Sequence, residues 1–60
     1  MKEKFEIYKD HRGEFRFRLK APNGEIIAVS GEGFTSKQSC QKSIEAVRKY
    51  AVSAQIHDLT

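Results

Sequence analysis

The sequence predicts an α+β domain, a three-stranded antiparallel meander with one helix packed on one face. Three observations carry that reading. The first half of the chain alternates apolar and polar residues with a period of two. Two short stretches ending in Gly, Asp10-His11-Arg12-Gly13 and Ala21-Pro22-Asn23-Gly24, interrupt it. Beyond Phe34 the apolar residues recur at helical spacing instead.

The first strand is predicted over residues 4–10, where Phe5 and Ile7 alternate with Lys4, Glu6 and Tyr8. The second, over 14–20, alternates more sharply. Phe15, Phe17 and Leu19 share one face, and Glu14, Arg16, Arg18 and Lys20 share the other. The third, over 25–30, is rich in β-branched residues but alternates weakly.

Both turns carry type I chemistry with Gly at the fourth position, where a left-handed residue closes a three-residue loop with a bulge. Counting back from the first loop pairs Tyr8 with Arg16, Ile7 with Phe17, Glu6 with Arg18 and Phe5 with Leu19. Counting from the second pairs Lys20 with Ile26, Leu19 with Ile27, Arg18 with Ala28 and Phe17 with Val29. On that register Phe5, Ile7, Phe17, Leu19, Ile27 and Val29 form one apolar face, which a one-residue slip would turn outward.

A helix follows over about residues 36–50, with Thr35 as cap and Gln38 three residues on completing a capping box. Cys40, Ile44, Val47 and Ala51 form its apolar stripe, the natural cover for the sheet. Arg48 and Lys49 near its end complement the helix dipole. The tail, 52–60, holds Val52, Ala54 and Ile56. Its pattern fits a fourth short strand or a frayed end equally.

Composition narrows the function classes. Sixty residues make one small domain with marginal stability of its own, which a second copy would relieve. No apolar run suits a membrane span or a signal-peptide core, so no membrane partner is expected. A single cysteine makes neither an internal disulfide nor a four-ligand zinc site, which favours a reducing, cytoplasmic setting.

The tempting feature is the basic ladder of Arg16, Arg18 and Lys20, joined by Tyr8 from the neighbouring strand. An open sheet face with cations and an aromatic is how several single-strand nucleic-acid binders are equipped, and a net charge of +3 permits it modestly. The register offers a plainer account. Glu6 opposite Arg18 is a cross-strand ion pair, and Tyr8 opposite Arg16 is placed for a cation–π contact, which leaves Lys4 opposite Lys20 to solvent. The string Arg12-Gly13-Glu14-Phe15-Arg16-Phe17 lacks the aromatics an RNA-recognition motif needs.

Catalysis finds no constellation. Cys40 reads as a small buried hydrophobe, and no spacing rule brings His11 or His57 to it as a base. Two histidines and one cysteine match no metal-ligand spacing, and Asp10, Glu14 and Asp58 are isolated carboxylates. Gly31-x-Gly33 lacks the remaining residues of a phosphate loop and reads as a bend before the helix. No cofactor, metal or enzymatic activity is expected.

As a whole, Phe5 to Lys20 followed by Ala21-Pro22-Asn23-Gly24, then Gly33-Phe34-Thr35-Ser36-Lys37 with Cys40, Ile44 and Val47, resembles the YegP-like family of small, mostly bacterial proteins. Phe34 stands where an aromatic, often Tyr, is expected. The resemblance implies a β-β-β-α-β unit filling residues 1–60. It also implies that two units share one sheet and exchange their last strands, so that a single-unit chain forms a homodimer. Residues 54–58 would then be the exchanged strand, with Ala54 and Ile56 facing the partner. The family brings no biochemical activity and no site residues with it. The expected protein is a non-enzymatic binding or structural module, whose ligand face, if it has one, carries Tyr8, Arg16, Arg18 and Lys20. Nucleic-acid or polyanion binding there is the alternative.

Overall fold

The computed structural model describes residues 2–60. Strands β1 (Lys4–Lys9), β2 (Phe15–Lys20) and β3 (Ile26–Val29) form an antiparallel sheet in the order β1-β2-β3, and helix α1 (Lys37–Ala51) packs on one face. The two turns share one design. Gly13 and Gly24 take φ of 79° and 90°, the left-handed region where a side chain is strained. Each donates its N–H to the carbonyl three residues back, Asp10 or Ala21, at 2.9 Å. The Asp10 carboxylate further accepts from the N–H groups of Arg12 and Glu14 at 2.9 and 3.0 Å, and Asn23 accepts from Glu25 at 3.0 Å. These side chains fix the loops locally.

The β1–β2 register is the expected one at every pair, from Lys4 opposite Lys20 to Tyr8 opposite Arg16. The β2–β3 register starts as expected with Lys20 opposite Ile26, then shifts. Leu19 faces Ala28 and Arg18 faces Val29, because an irregularity between Leu19 and Lys20 leaves Ile27 as an extra residue on β3. A bulge of this kind reverses the face of everything beyond it. The expectation that Ile27 and Val29 join the inner apolar face is therefore corrected. Ile26, Ile27 and Val29 are exposed by 52–61%, whereas Ser30 is buried. Ser30 donates its N–H to the Phe17 carbonyl at 2.9 Å, and its hydroxyl oxygen accepts from the Phe17 N–H at 3.4 Å.

After Ser30 the chain rejoins β2 through a two-way backbone pair of Phe34 with Phe15, at 2.7 and 2.8 Å. That contact carries it to the Phe15 end of the sheet, where α1 begins. Ser36, not Thr35, is the N-cap: extended at φ −128°, ψ 148°, it accepts from the Ser39 N–H at 3.1 Å. The Ser36 hydroxyl also reaches the Ser39 hydroxyl at 3.0 Å, so Gln38 is not needed as the reciprocal partner. The core consists of Phe17, Cys40 and Ile44, surrounded by half-buried Phe5, Ile7, Phe15 and Phe34. Phe5 meets Phe17 edge-on, with centroids 6.1 Å apart. Only the first half of the helix stripe is engaged, since Val47 is 36% exposed and Ala51 is exposed.

Residues 54–58 form no strand within the single chain, because no sheet edge of that chain lies beside them. Val52, Ile56 and Leu59 are 87%, 98% and 93% exposed. The radius of gyration, 12.7 Å, exceeds the roughly 10 Å of a compact 60-residue chain, as expected when a tail stands off the body.

Candidate functional site

The open face of the sheet is built by alternation. Lys4, Glu6 and Tyr8 on β1 and Arg16, Arg18 and Lys20 on β2 all point away from α1. The structure therefore brings Tyr8, Arg16, Arg18 and Lys20 together as the sequence placed them. Their charges, however, are engaged. Glu6 sits at the centre of three cations, 2.7 Å from Arg18 Nε, 3.4 Å from Lys4 and 3.5 Å from Lys20. Arg16 Nε turns to Asp10 at 2.7 Å. The cation–π contact accordingly has a different partner from the expected one. The Arg18 guanidinium lies 4.9 Å from the centre of the Tyr8 ring, and Arg16, drawn to Asp10, does not take that place.

These contacts set the electrostatics. The Arg18 hydrogen bond, aided by Lys20 and Lys4, holds the Glu6 carboxyl below its ordinary range, and Arg16 with the Glu14 and Arg12 N–H groups does the same for Asp10. Asp10 in turn raises the Arg16 guanidinium. Four cations against the three carboxylates of Glu6, Asp10 and Glu14, the last acting on Arg16, leave this face with a net +1. The shifted register adds two residues that alternation alone does not place here. Ile26 opposite Lys20 and Val29 opposite Arg18 give the basic ladder an apolar flank. The cue for them is the weak alternation of β3, which signals a bulge without locating it.

A second feature lies where β1 meets the start of α1. Ile7, Tyr8, Lys9, Phe15, Lys37 and Gln41 line an open cleft of about 460 Å³. Phe15 forms its floor, with the Lys9 ammonium 5.2 Å and the Lys37 ammonium 6.0 Å from its ring centre. Among the described residues neither lysine forms an ion pair with a carboxylate. No local sequence pattern points to this cleft, since Lys9 and Lys37 are brought together only by the Phe15–Phe34 bridge.

The remaining candidates stay apart. Cys40 is fully buried, and burial pushes its thiol pKa up, so it packs rather than reacts. His11 and His57 are exposed in a turn and in the tail. Among the described residues no three His, Cys, Asp or Glu side chains cluster to hold a metal, and no helix is long and apolar enough to cross a membrane.

Comparison with known proteins places this fold in a family. The family described as a domain of unknown function, DUF1508, matches residues 10–58. The chain is 60% identical over 53 residues to a UPF0339 protein of Treponema denticola, covering 88% of this chain and 90% of that one. A UPF0339 protein of Stutzerimonas stutzeri is 55% identical over 47 residues, which is 78% of this chain but only 41% of that longer relative. The solution structure of a protein from Haloferax volcanii superposes with a TM-score of 0.89 at 40% identity, over 95% of both chains. The chain thus belongs to the DUF1508, or UPF0339, family of small uncharacterised proteins, the YegP-like family that its sequence resembles.

Proposed function

We propose that the protein is a non-enzymatic binding or structural module that works as a cytoplasmic homodimer, with residues 54–58 exchanged between two copies. The observation that carries this reading is unpartnered apolar surface. Val52, Ile56 and Leu59 in the tail stand almost fully in solvent, and Ile26, Ile27 and Val29 line an uncovered sheet edge. A sheet edge of that kind invites pairing with another chain. The core of Phe17, Cys40 and Ile44 is also small for a domain of this length. The longer Stutzerimonas relative supports it further, since a match to 41% of its length leaves room for a second unit on the same chain.

Light scattering on the full chain and on a version ending at Ala51 tests the reading. The expected result is a dimer that becomes monomeric, or unfolds, on truncation. A full chain that stays monomeric at every concentration removes it.

Ligand binding, where it occurs, is assigned to the open face bearing Tyr8, Arg16, Arg18 and Lys20. The polyanion alternative rests on the four cations of that face, which its three carboxylates leave at a net +1. Glu6 and Asp10 act against it, because a phosphate must compete with carboxylates already 2.7 Å from Arg18 and Arg16. Oligonucleotide titration at low salt decides. Binding that falls steeply with salt and vanishes in Arg16→Ala/Arg18→Ala supports the alternative, and absence of binding ends it.

A further inference from the structure

The cleft between β1 and the first turns of α1 combines positive charge, apolar surface and outward-facing backbone donors. Lys9 and Lys37 both hold their ammonium groups within 6.0 Å of the Phe15 ring centre. Two like charges so placed repel, and an anion that meets both relieves the repulsion.

The acids of the neighbourhood are committed elsewhere. Glu3 lies six residues before Lys9, about 20 Å along an extended chain. The Asp10 carboxylate turns toward the open face, bound to Arg16 Nε at 2.7 Å and to two N–H groups of its turn. Glu14 packs against Gly33 and acts on Arg16. Glu45, one turn beyond Gln41, pairs with Arg48 at 3.3 Å, and Glu32 stands exposed in the loop before Phe34. Among the described residues none of these forms an ion pair with Lys9 or Lys37.

The backbone of β1 adds to the charge. Phe15 exchanges both of its backbone hydrogen bonds with Phe34, on the side of β2 away from β1. Its β1 partner Lys9 therefore turns its own N–H and C=O outward, and by alternation so does Ile7. Both residues line the cleft, whose floor is the apolar surface of Ile7 and Phe15 and whose helix side carries the Gln41 amide, a donor and an acceptor. Its volume, about 460 Å³, is that of a small-molecule site. A bare inorganic anion leaves the floor uncovered, and a neutral apolar molecule leaves the ammonium groups beside it without a partner. A carboxylate on an aryl body meets both demands.

We propose that this cleft binds a small carboxylate with an aryl body, the carboxylate between Lys9 and Lys37 and the body against Ile7 and Phe15. The site goes beyond the open-face reading, whose ligand is a polyanion. It does not depend on the homodimer either, since all of its residues belong to one chain.

An amide-resolved NMR titration of the full chain with 3-phenylpropionate at low salt tests it. The expected result is saturable shifts at Lys9, Phe15, Lys37 and Gln41, with a Kd on the order of 1 mM. Acetate, inorganic phosphate and 3-phenylpropanol, each lacking half of the ligand, are expected to bind at least about fivefold more weakly. Lys9 and Lys37 are exposed, so Lys9→Gln and Lys37→Gln should fold normally. Each is expected to weaken binding about three- to fivefold, and the two together about tenfold; Lys37→Arg should bind like the parent. Absence of shifts up to about ten times that Kd, shifts confined to Arg16, Arg18 and Lys20, equal binding of 3-phenylpropanol, or an undiminished double variant overturns the site. Light scattering on the same samples reads the homodimer separately: a dimer without these shifts overturns the site alone, and a monomer that shows them overturns the homodimer alone.

Discussion

Ile44→Ala measures how much of the stability depends on the contact between α1 and β2. Ile44 is 8% exposed and packs against Phe17 and Cys40, the other two members of the buried core. The substitution removes three carbons, about 0.8 kcal/mol each by transfer, or roughly 2.4 kcal/mol. A residual cavity of about 40 Å³ adds about 1 kcal/mol, and the better helix propensity of alanine returns about 0.4 kcal/mol. The net loss is about 3 kcal/mol. A 60-residue domain has roughly 3–9 kcal/mol in all, so the variant should be partly unfolded at room temperature or close to it. Thermal and urea unfolding followed by far-UV circular dichroism, at one fixed protein concentration, reads this directly. The midpoint temperature should fall by about 12–24 °C. Lys42→Ala, at an exposed helix position, should stay within about 0.5 kcal/mol of the parent. A fall below about 4 °C for Ile44→Ala, or equal losses for the two variants, would refute the assignment of the core to this half of the helix.

Acid should weaken the fold through Glu6 and Asp10. Arg18 and Arg16 hold their folded pKa values below the unfolded ones. Their stabilisation is therefore complete above about pH 5 and is lost as pH falls through the lowered values; the urea midpoint should hold down to about pH 5, drop below it, and drop less in Glu6→Gln/Asp10→Asn. Gly33→Ala should cost about 1–3 kcal/mol, because an added Cβ meets the Glu14 Cβ at 2.9 Å, whereas at Gly31 it enters open space and should change little; equal urea midpoints for the two variants would contradict this. Glu6→Gln alone removes the carboxylate shared by Lys4, Arg18 and Lys20, so any oligonucleotide affinity of the open face should rise, and an unchanged titration would show that this face does not meet nucleic acid. The Cys40 thiol, fully buried, should react with a thiol reagent only at the rate of unfolding, and fast labelling of the native protein would place it outside the core.

What the sequence made legible was whatever local chemistry determines. Asp10, Gly13, Asn23 and Gly24 write both turns, and the turns write the β1–β2 register down to each pair. The bulge at Ile27 was not legible, because inserting one residue depends on how β3 meets β2 and not on the residues of β3 alone. It cost the inward placement of Ile27 and Val29 and concealed the burial of Ser30. The cap moved by one residue for a similar reason: Thr35 and Ser36 are both competent, and the Phe34–Phe15 bridge determines which is extended at the helix start. On the open face the residues were legible and their pairings were not. Arg16 has both Tyr8 and Asp10 within reach, and only three dimensions show that the carboxylate prevails. The cleft joins the hairpin pair Lys9 and Phe15 to Lys37, far along the chain, and no periodicity makes that last connection.

The meander has a further consequence, for the order of events in time. Within the described chain every strand pairs with its neighbour in sequence, through loops of three residues, and the helix folds back on the strands just made. Contacts this local are reached quickly, so the chain should collapse to the sheet and helix in a fast, unimolecular phase. Residues 54–60 add little to that phase, since all of them stand exposed beyond the helix. In the proposed homodimer their ordering would belong to a second, slower step whose rate rises with protein concentration. Rapid-mixing refolding should therefore separate into two phases, with only the second sensitive to dilution and missing from a chain that ends at Ala51.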